Sequence, residues 1–388
     1  MDGSNKLTCR RVVVATHVYT TGPAQDLRDY LIKEKVEDLL YIGHPLFYSP
    51  KLEGSGYSRY KKGNSVSNSF GSIKKSPDFL AYTKAIFLNI WYVLVNKGKW
   101  DLYVGSNNLN TLSGVLLKWV GLVDKVVYYV IDYNPKRFKN KLLNHIYHKI
   151  DHICVTHSDV TWNLSPRMLE GRKKYFNFTG GNQITVPIGV WLDRISENAR
   201  NETLNHTLVF MGHVLKKQGI QYVLEAIPHI TKEIPDFKFV VLGGGDYIDE
   251  LKILAQKNNI SEYVEFKGYI EEHSDLEIHL SKCSLAIALY EKHDEKGDLT
   301  FTYFADPAKL KVYMACGLPV ITTDVPHNAS KLEKRNIGRV ITNDPLVISE
   351  AVVDLFGDDA KLREMKSNAL QFAKEFNWDV IFGNVLNV

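Results

Sequence analysis

The stretch from position 305, ADPAKLKVYMACGLPVITTD, begins with a carboxylate and a lysine at the start of a short predicted helix. Asp306 is of the type that caps the free N–H groups of a first turn, and Pro307 suits the first helical position. Gly317 is typical of the left-handed residue that ends a helix, and LPVITTD is typical of a buried parallel strand. Because a helix N-terminus carries partial positive charge, this pattern, with Lys309 in the first turn, predicts an anion site.

A second group of polar residues, in THVYTTGPAQDL, follows the first strand-like run of the chain. Gly22 begins a predicted turn, and His17 and Thr21 lie just before it. We expect these side chains to meet a hydroxyl group of a substrate. The alternative for His17 is a histidine that belongs to the core or caps a helix.

The stretch VIDYNPKRF places further polar side chains at the end of a later strand-like run. Asp132 and Arg137 lie there, on either side of Tyr133 and Asn134. A few well-placed polar groups are what orient a small molecule in a pocket, so we predict a contact with hydroxyl groups of a substrate. A plain Asx-turn into Pro135 is the alternative.

These groups follow strands that recur in step with helices in both halves of the chain. The strand-like runs are RRVVVATHV, DLLYIGHP, WDLYVGSN, KVVYYVID, HICVTHSD and ITVPIGV in the first half, and TLVFMG, KFVVLGGG, VEFKGYI, SLAIALY, LPVITTD and GRVITND in the second. Segments of helical period lie between them. The sequence therefore predicts an α/β protein of two Rossmann-like, doubly wound domains, with substrates bound in a cleft between them.

Composition and charge set the class of protein. Of the 388 residues 45% are hydrophobic and 24% charged, which is typical of a soluble globular protein. The four cysteines form no C-x-x-C pair, so we expect buried thiols in a reducing compartment and no metal site. The N-terminal stretch has no apolar run of signal-peptide length, which predicts a cytoplasmic protein.

The charge is divided unevenly between the two halves. Residues 1–195 hold 27 Lys and Arg against 15 Asp and Glu, so this half carries +12 and residues 196–388 carry −8. A basic half is suited to phosphorylated substrates, anionic lipid or nucleic acid. No zinc-finger spacing, helix-turn-helix signature or RNA-binding aromatic motif occurs, so we expect no nucleic acid partner.

Three stretches of the second half together resemble the donor-binding domain of GT-B glycosyltransferases of the large retaining family 4. They are LVFMGHVLKKQGIQYVLEAI, FKFVVLGGGDYIDELKILAQKNNISEYVEFKGYI and DPAKLKVYMACGLPVITTDVP, which cover most of residues 206–345 in the order and spacing of the family. The resemblance implies the GT-B fold, with an acceptor domain at 1–195 and a nucleotide-sugar domain at 206–370. Residues 371–388 then resemble the terminal helix that crosses back to the N-terminal domain. A nucleoside-diphosphate sugar is the implied co-substrate, without a metal.

The resemblance also implies roles for individual residues. The implied donor contacts are Gly212, His213, Lys217, Gly244, Gly268, Tyr269, Ile270, Asp306 and Lys309. The acceptor contacts predicted from the residues themselves are His17, Thr21, Gly22, Asp132 and Arg137, and the predicted catalytic residues are Lys217, Lys309 and Asp132. The two lysines would stabilise the negative charge of the leaving nucleoside diphosphate. A solvated lysine turn, a glycine run without a ligand and an ordinary edge strand remain the alternatives for the donor stretches before position 300.

The chain departs from the family pattern at two positions. Relatives usually place two glutamates eight positions apart, the second five residues before the glycine; here Phe304 and Val312 occupy those places. Valine cannot hydrogen-bond a ribose, so we expect either that Asp306 takes over part of that contact or that the donor pocket is altered.

The segment from position 74 to 99 is apolar and contains aromatic residues and lysines. Lys84 and Asn89 argue against a membrane-spanning helix. A helix that lies on an anionic bilayer surface and a plain core helix both remain open.

We therefore expect a retaining glycosyltransferase that moves a hexose-type sugar from a nucleoside-diphosphate sugar to a glycan or lipid-linked acceptor. It would act in the cytoplasm, with peripheral contact to the inner membrane face. The alternatives are a nonhydrolysing sugar-nucleotide epimerase and a non-catalytic partner that binds nucleotide or glycan.

Overall fold

The structure, a computed structural model, describes residues 7–18, 22–45, 54–71, 73–74, 78–195 and 204–387. The chain divides into two compact units. Unit 1 runs to Pro187 and resumes at Trp378, and unit 2 runs from Ile188 to Asn377. Each unit is an α/β structure with its own parallel sheet, so the predicted fold class is confirmed.

Unit 1 is built on one sheet with helices on its faces. Its elements are β1 (Leu7–Thr8), β2 (Arg11–Val18), α1 (Pro23–Lys33), β3 (Asp38–Pro45), β4 (Gly54–Lys61), β5 (Asn64–Asn68), β6 (Ile73–Lys74), α2 (Asp78–Val95), β7 (Trp100–Ser106), α3 (Asn108–Trp119), β8 (Val123–Val130), α4 (Lys141–His157), β9 (Val160–Asn163), α5 (Pro166–Phe176) and β10 (Gln183–Thr185). The strand order is β10-β9-β8-β7-β2-β3-β4-β5, with β6 beside β4. The strands from β10 to β3 are parallel, and the central ones are buried because helices cover both faces.

Unit 2 repeats the alternation. Its elements are β11 (Thr207–Met211), α6 (Ile220–Glu233), β12 (Lys238–Leu242), α7 (Ile248–Lys257), β13 (Val264–Gly268), α8 (His273–Ser281), β14 (Leu285–Ala288), α9 (Phe301–Phe304), α10 (Ala308–Ala315), β15 (Val320–Thr322), α11 (Ala329–Lys334), β16 (Gly338–Val340), α12 (Pro345–Phe356) and α13 (Asp359–Ala373). The parallel sheet has the order β13-β12-β11-β14-β15-β16. The order reverses between β11 and β14, and ligands of such sheets bind beyond the carboxyl ends of the strands near that point.

The end of the chain returns to unit 1. It forms α14 (Trp378–Gly383) and β17 (Leu386–Asn387), and β17 pairs with β1. The Lys33 ammonium lies 2.7 Å from the Asp379 carboxylate, and the Tyr30 and Phe382 rings are 5.4 Å apart. These contacts attach α14 to α1.

One strand prediction for unit 1 is wrong, and one part of its sheet was not predicted. Most of HICVTHSD, predicted as a strand, forms the last six residues of α4, because His148, Asp151, Cys154 and Val155 bury one face at helical spacing. The antiparallel edge formed by β4 and β5 was not predicted, since its residues are mainly Ser, Asn, Gly and charged residues. Its turn is made by Lys62 and Gly63, which have φ values of 48° and 83°.

Helix α2 has a buried inner face, as expected of a core helix, and an exposed apolar outer face, as expected of a helix on a bilayer surface. On its inner face Asn89 is fully buried, its Oδ1 lies 2.9 Å from His44 Nε2, and its Nδ2 donates to Asn110 Oδ1. Its outer face is apolar, since Phe87, Trp91 and Leu94 are 72%, 58% and 47% exposed. Among the residues that the structure describes, no helix is long and apolar enough to cross a membrane.

Candidate functional site

Glycine-containing loops meet at the carboxyl edge of three neighbouring strands of unit 2, β11, β12 and β13. The Gly212 N–H donates to the Leu242 carbonyl, and the Gly243 N–H donates to the Gly268 carbonyl. A Cβ atom at Gly243 would lie 1.9 Å from the Gly212 carbonyl oxygen, which no side chain can accommodate. Gly243 also has a φ of 150°, in the region that favours glycine. The glycines therefore allow two loops to cross in contact.

The loops enclose a cavity of about 420 Å³ within unit 2. Of the predicted donor residues, five line it: Gly212, His213, Gly244, Tyr269 and Ile270. Gly268 directly precedes Tyr269, whose ring is 74% exposed. The volume of the cavity is typical of a small-molecule site. Met211 and Leu276 also line the cavity, and neither was predicted from the sequence.

Lys309 is held next to these loops by contacts that its sequence position did not reveal. Its Nζ donates to Gln218 Oε1 at 2.8 Å and lies 4.3 Å from the centroid of the Phe210 ring. A Cβ atom at Gly212 would be 3.2 Å from this Nζ, so the ammonium packs against the bare backbone of the loop. Burial lowers the pKa of Lys309 to about 7, and no ion pair with a carboxylate is found for it in the described part of the chain. An anion beside this Nζ would favour its charged form.

Lys217 lies elsewhere on the same loop. It belongs to the 3₁₀ turn Lys216–Gln218, and its side chain is exposed and does not line the cavity. The turn nevertheless contributes Gln218, the residue that holds Lys309, and this role was not predicted.

The prediction that Asp306 caps the helix is wrong. Helix α10 begins at Ala308, its N-cap is Pro307, and no side chain caps it. The Asp306 carboxylate is buried, forms an ion pair with the equally buried Lys311, and accepts a hydrogen bond from the Ile188 N–H at 2.9 Å. Burial alone would raise the pKa of Asp306, but Lys311 and His327 outweigh it and lower that pKa. Its carboxylate thus anchors the start of the segment that carries Lys309.

In unit 1, His17 belongs to a buried polar network. Its Nδ1 lies 2.7 Å from Asn107 Nδ2 and 3.1 Å from Asn110 Nδ2, so Nδ1 accepts and the ring proton is on Nε2. Burial, with smaller contributions from His44 and Arg137, lowers the pKa of His17 to about 3, so the ring is neutral. These contacts favour the alternative of a core histidine.

The other predicted acceptor residues follow strand ends of unit 1. Asp132 and Arg137 form an ion pair at 2.5 Å and are both partly exposed. The Asn134 side chain accepts from the Lys136 N–H at 2.9 Å, so the Asx-turn is present beside this pair. Gly22 is the N-cap of α1, and Thr21 lies outside the described residues. His17 lies near the carboxyl end of β2 and Arg137 follows the carboxyl end of β8, so both residues lie at the same edge of the unit 1 sheet.

No group of three or more His, Cys, Asp or Glu in the ranges that the structure describes is arranged to hold a metal ion. The four cysteines are buried, free thiols.

The fold and the site together define a class. Residues 205–358, which contain the unit 2 cavity and Lys309, match the family model described as glycosyl transferases group 1. The fold is that of GT-B glycosyltransferases. HepE from Anabaena, solved in complex with UDP, aligns with a TM-score of 0.68 at 12% identity over 96% of this chain and 97% of that chain.

Two further glycosyltransferases are similar to this chain. WaaG, a glycosyltransferase involved in lipopolysaccharide biosynthesis, aligns with a TM-score of 0.64 at 14% identity over 95% of this chain and 97% of that chain. A phosphatidyl-myo-inositol mannosyltransferase of Mycobacterium leprae is 21% identical over 214 residues, which are 54% of this chain and 54% of that protein. The chain thus spans about half the length of the curated relatives that it matches.

Proposed function

We propose that this protein is a retaining glycosyltransferase that moves a hexose-type sugar from a nucleoside-diphosphate sugar to a glycan or lipid-linked acceptor. The observation that carries the proposal is the half-buried ammonium of Lys309 against the crossed glycine loops of the unit 2 cavity. The group 1 match over the same residues supports it. Unit 2 would bind the nucleotide sugar, and unit 1 the acceptor.

The chemistry follows from where charge develops. The bond between the sugar's anomeric carbon and the diphosphate oxygen breaks, the acceptor oxygen bonds to that carbon, and the acceptor proton passes to the leaving phosphate. Lys309 then faces an oxygen that gains negative charge in a water-poor site, where a fixed cation is most effective. Lys217 adds a second positive charge from its exposed turn, and Asp132 orients the acceptor hydroxyl. Proton transfer to the leaving phosphate on the same face of the sugar requires no carboxylate nucleophile and retains the configuration.

The acceptor side carries the finer part of the proposal. Asp132, Arg137, Gly22 and Thr21 are the proposed acceptor residues. His17, a core histidine, would act on the acceptor only through its contacts with Asn107 and Asn110. The apolar outer face of α2 favours an acceptor that is reached at a membrane surface, so we place the protein in the cytoplasm in peripheral contact with the anionic inner face.

A panel of nucleotide sugars tests the proposal directly. UDP-glucose is the first probe, because HepE has been solved with that ligand. A bound donor raises the melting temperature in proportion to ln(1 + [L]/Kd), and transfer is then assayed on glycan and lipid-linked acceptors. The proposal fails if no nucleotide sugar shifts the melting temperature and no transfer is found.

A non-catalytic binding partner is the second candidate, and Val312 favours it. Val312 packs against the apolar cluster that contains Leu310 and Met314, so nothing polar replaces the family's glutamate at this position. Saturable binding of a nucleoside diphosphate, without turnover on any acceptor of the panel, would favour this candidate over the enzyme.

A further inference from the structure

A second cavity, of about 360 Å³, lies within unit 1 and takes no part in the donor site described above. It is bordered by the N-terminal ends of α2 and α3, by α4, and by the loop before α4. Most of its lining is apolar: Leu109, Phe138, Leu143, Ile146, Tyr147 and Ile150. We call it the unit 1 cavity.

One end of the unit 1 cavity is polar. Arg137 and Asn107 line it, and the Arg137 guanidinium lies 5.3 Å from the centroid of the Tyr147 ring while it pairs with Asp132. Asn107 caps α3, a helix of 12 residues, so the partial positive charge of a helix N-terminus adds to that of Arg137. This end is therefore suited to an anion.

Asn108 gives an independent sign of a ligand at the same place. It lines the unit 1 cavity and is only 1% exposed. Its Nδ2 donates to the Tyr147 carbonyl at 3.0 Å, but its Oδ1 has no hydrogen-bond partner in the part of the chain that the structure describes. Buried side-chain oxygens are rarely left unpaired, so this oxygen is available to a hydroxyl group of a bound molecule.

The surroundings of the unit 1 cavity are basic and apolar at once. Residues 133–150 contain five Lys and Arg and no Asp or Glu. Leu142 is 68% exposed beside the lining residue Leu143, and Phe87 is 72% exposed one helical turn after the lining residue Thr83. A second copy of the chain docked here would bring two such basic surfaces together, which is unfavourable. An anionic molecule with an apolar chain satisfies both features.

We propose that the unit 1 cavity binds the apolar chain of a lipid phosphate, with the phosphate at Arg137 and a hydroxyl of the head group at Asn108 Oδ1. The proposal deepens the proposed function, on which it rests for the role of this lipid: it narrows the acceptor to a phosphate-bearing lipid. Lys136 and Lys139 lie on either side of Arg137 in the chain and add to the attraction.

Binding of alkyl phosphates to the full chain, measured by calorimetry below their micelle concentrations, tests this. Hexyl, octyl and decyl phosphate should bind one per chain, with affinity rising about threefold to fourfold per added CH₂ and then levelling off when the cavity is full. Decanol and inorganic phosphate separate the apolar and anionic contributions. Inorganic phosphate that binds as tightly as decyl phosphate would overturn the proposal, and so would uptake of alkyl chains without saturation.

Matched variants locate the site. Ile146→Asp puts a charge on a cavity residue that is 46% exposed, and Ile253→Asp puts one on a residue of α7 that is 64% exposed and does not line the cavity. We expect decyl phosphate to bind at least tenfold more weakly to the first variant and unchanged to the second. Arg137→Gln should weaken the binding of decyl phosphate about tenfold or more and leave the binding of decanol unchanged. Equal binding by wild type and Ile146→Asp, with both proteins folded by circular dichroism, would overturn the proposal.

Two further measurements distinguish this proposal from binding to a bilayer surface and from the proposed glycosyltransferase function. If Ile146→Asp binds anionic vesicles as well as the wild type does but no longer binds decyl phosphate, the cavity and the bilayer contact are distinct sites. Nucleotide-sugar binding is measured on the same variants. If it is absent everywhere while decyl phosphate still binds, the glycosyltransferase proposal fails and the lipid phosphate site stands.

Discussion

At the scale of single residues, Lys309 is half-buried and lies beside the donor loops. The sequence predicted the lysine but not what holds it, because Gln218 and Phe210 lie about 90 and 100 positions earlier in the chain. Burial lowers its pKa, and the amide oxygen and ring face beside it include no carboxylate to offset that effect. We therefore expect turnover to depend on this side chain and donor affinity to depend on pH.

Lys309→Ala should leave the protein folded and lower turnover by roughly 10²-fold or more, since removing one preorganised charge from a leaving-group site typically has that effect. Lys216→Ala, on the exposed turn nearby, is the control and should retain near-normal turnover. Steady-state transfer rates, with circular dichroism to confirm folding, check this. Near-normal activity of Lys309→Ala would contradict the proposed role.

Affinity for the nucleotide sugar should fall as pH rises above about 7. The free Lys309 has a pKa of about 7, and only its protonated form attracts the diphosphate. Above that pH binding must take up a proton, so Kd rises by up to about tenfold per pH unit. A nucleotide sugar is the right ligand, because its diphosphate does not titrate in this window.

Lys309→Arg provides the control, because arginine stays charged throughout and its Kd should not follow pH. Calorimetry in two buffers of different ionisation enthalpy at pH 8 measures the proton uptake. The same proton uptake by both proteins would show that another group is responsible.

Asp306→Ser should unfold far more easily than the loss of a helix cap would explain. The substitution leaves the buried Lys311 ammonium without its carboxylate, which typically costs about 3–5 kcal/mol, whereas a lost cap costs about 1 kcal/mol. Asp344→Ala is the matched control, since Asp344 does cap α12 through the Leu346 N–H. Urea unfolding measures both, and equal losses would mean that the ion pair contributes little.

The double variant Asp306→Ser with Lys311→Met removes both charges and should recover much of the loss. No recovery would point to the hydrogen bond to Ile188 rather than the ion pair.

At the scale of elements, α2 has one face in the core and one apolar face outside it. Phe87, Trp91 and Leu94 repeat at helical spacing on the outer face, and Lys84, Lys97 and Lys99 supply positive charge nearby. Co-sedimentation with anionic vesicles should weaken as salt rises, at about 1 kcal/mol for each lysine near the surface. Phe87→Ser with Trp91→Ser should reduce binding strongly, and Ile253→Ser should not. Binding that ignores salt, lipid charge and these substitutions would leave only the core role of α2.

Elements with a strong apolar pattern were predictable from the sequence, and those without one were not. All six strands of unit 2 lie where their β-branched runs predicted them. In contrast, the run from His152 to Asp159 contains the same residue types but continues α4, because the burial of Cys154 and Val155 follows the helical period. The β4–β5 edge escaped prediction because its position depends on pairing with β3, which polar residues do not encode.

The candidate site was predictable to a similar extent. Glycines and a lysine next to strand ends are local signals, and five of the predicted donor residues do line one cavity. The Asp306 cap was wrong because the competing partner, Lys311, can only be recognised once the segment is packed and both side chains are buried. Pairing between distant residues, such as Gln218 with Lys309, leaves no pattern in a single sequence.

At the scale of the whole molecule, we expect each unit to bind its own ligand. Amide hydrogen exchange should show protection of residues 211–215 and 243–247 by a nucleotide sugar, and of residues 107–111 and 138–147 by decyl phosphate. Lys309→Ala should lose the first pattern and keep the second. A nucleotide sugar that protects only unit 1 would contradict the division of roles.

The crossing of the two loops at Gly212 and Gly243 also determines how this protein could be engineered. A library that randomises Gly243 should return only glycine among soluble clones, since any larger residue meets the Gly212 carbonyl. His213, Tyr269, Ile270 and Leu276 line the same cavity through side chains that can vary. Selection for a new sugar donor should therefore begin with these four positions and leave the glycine backbone intact.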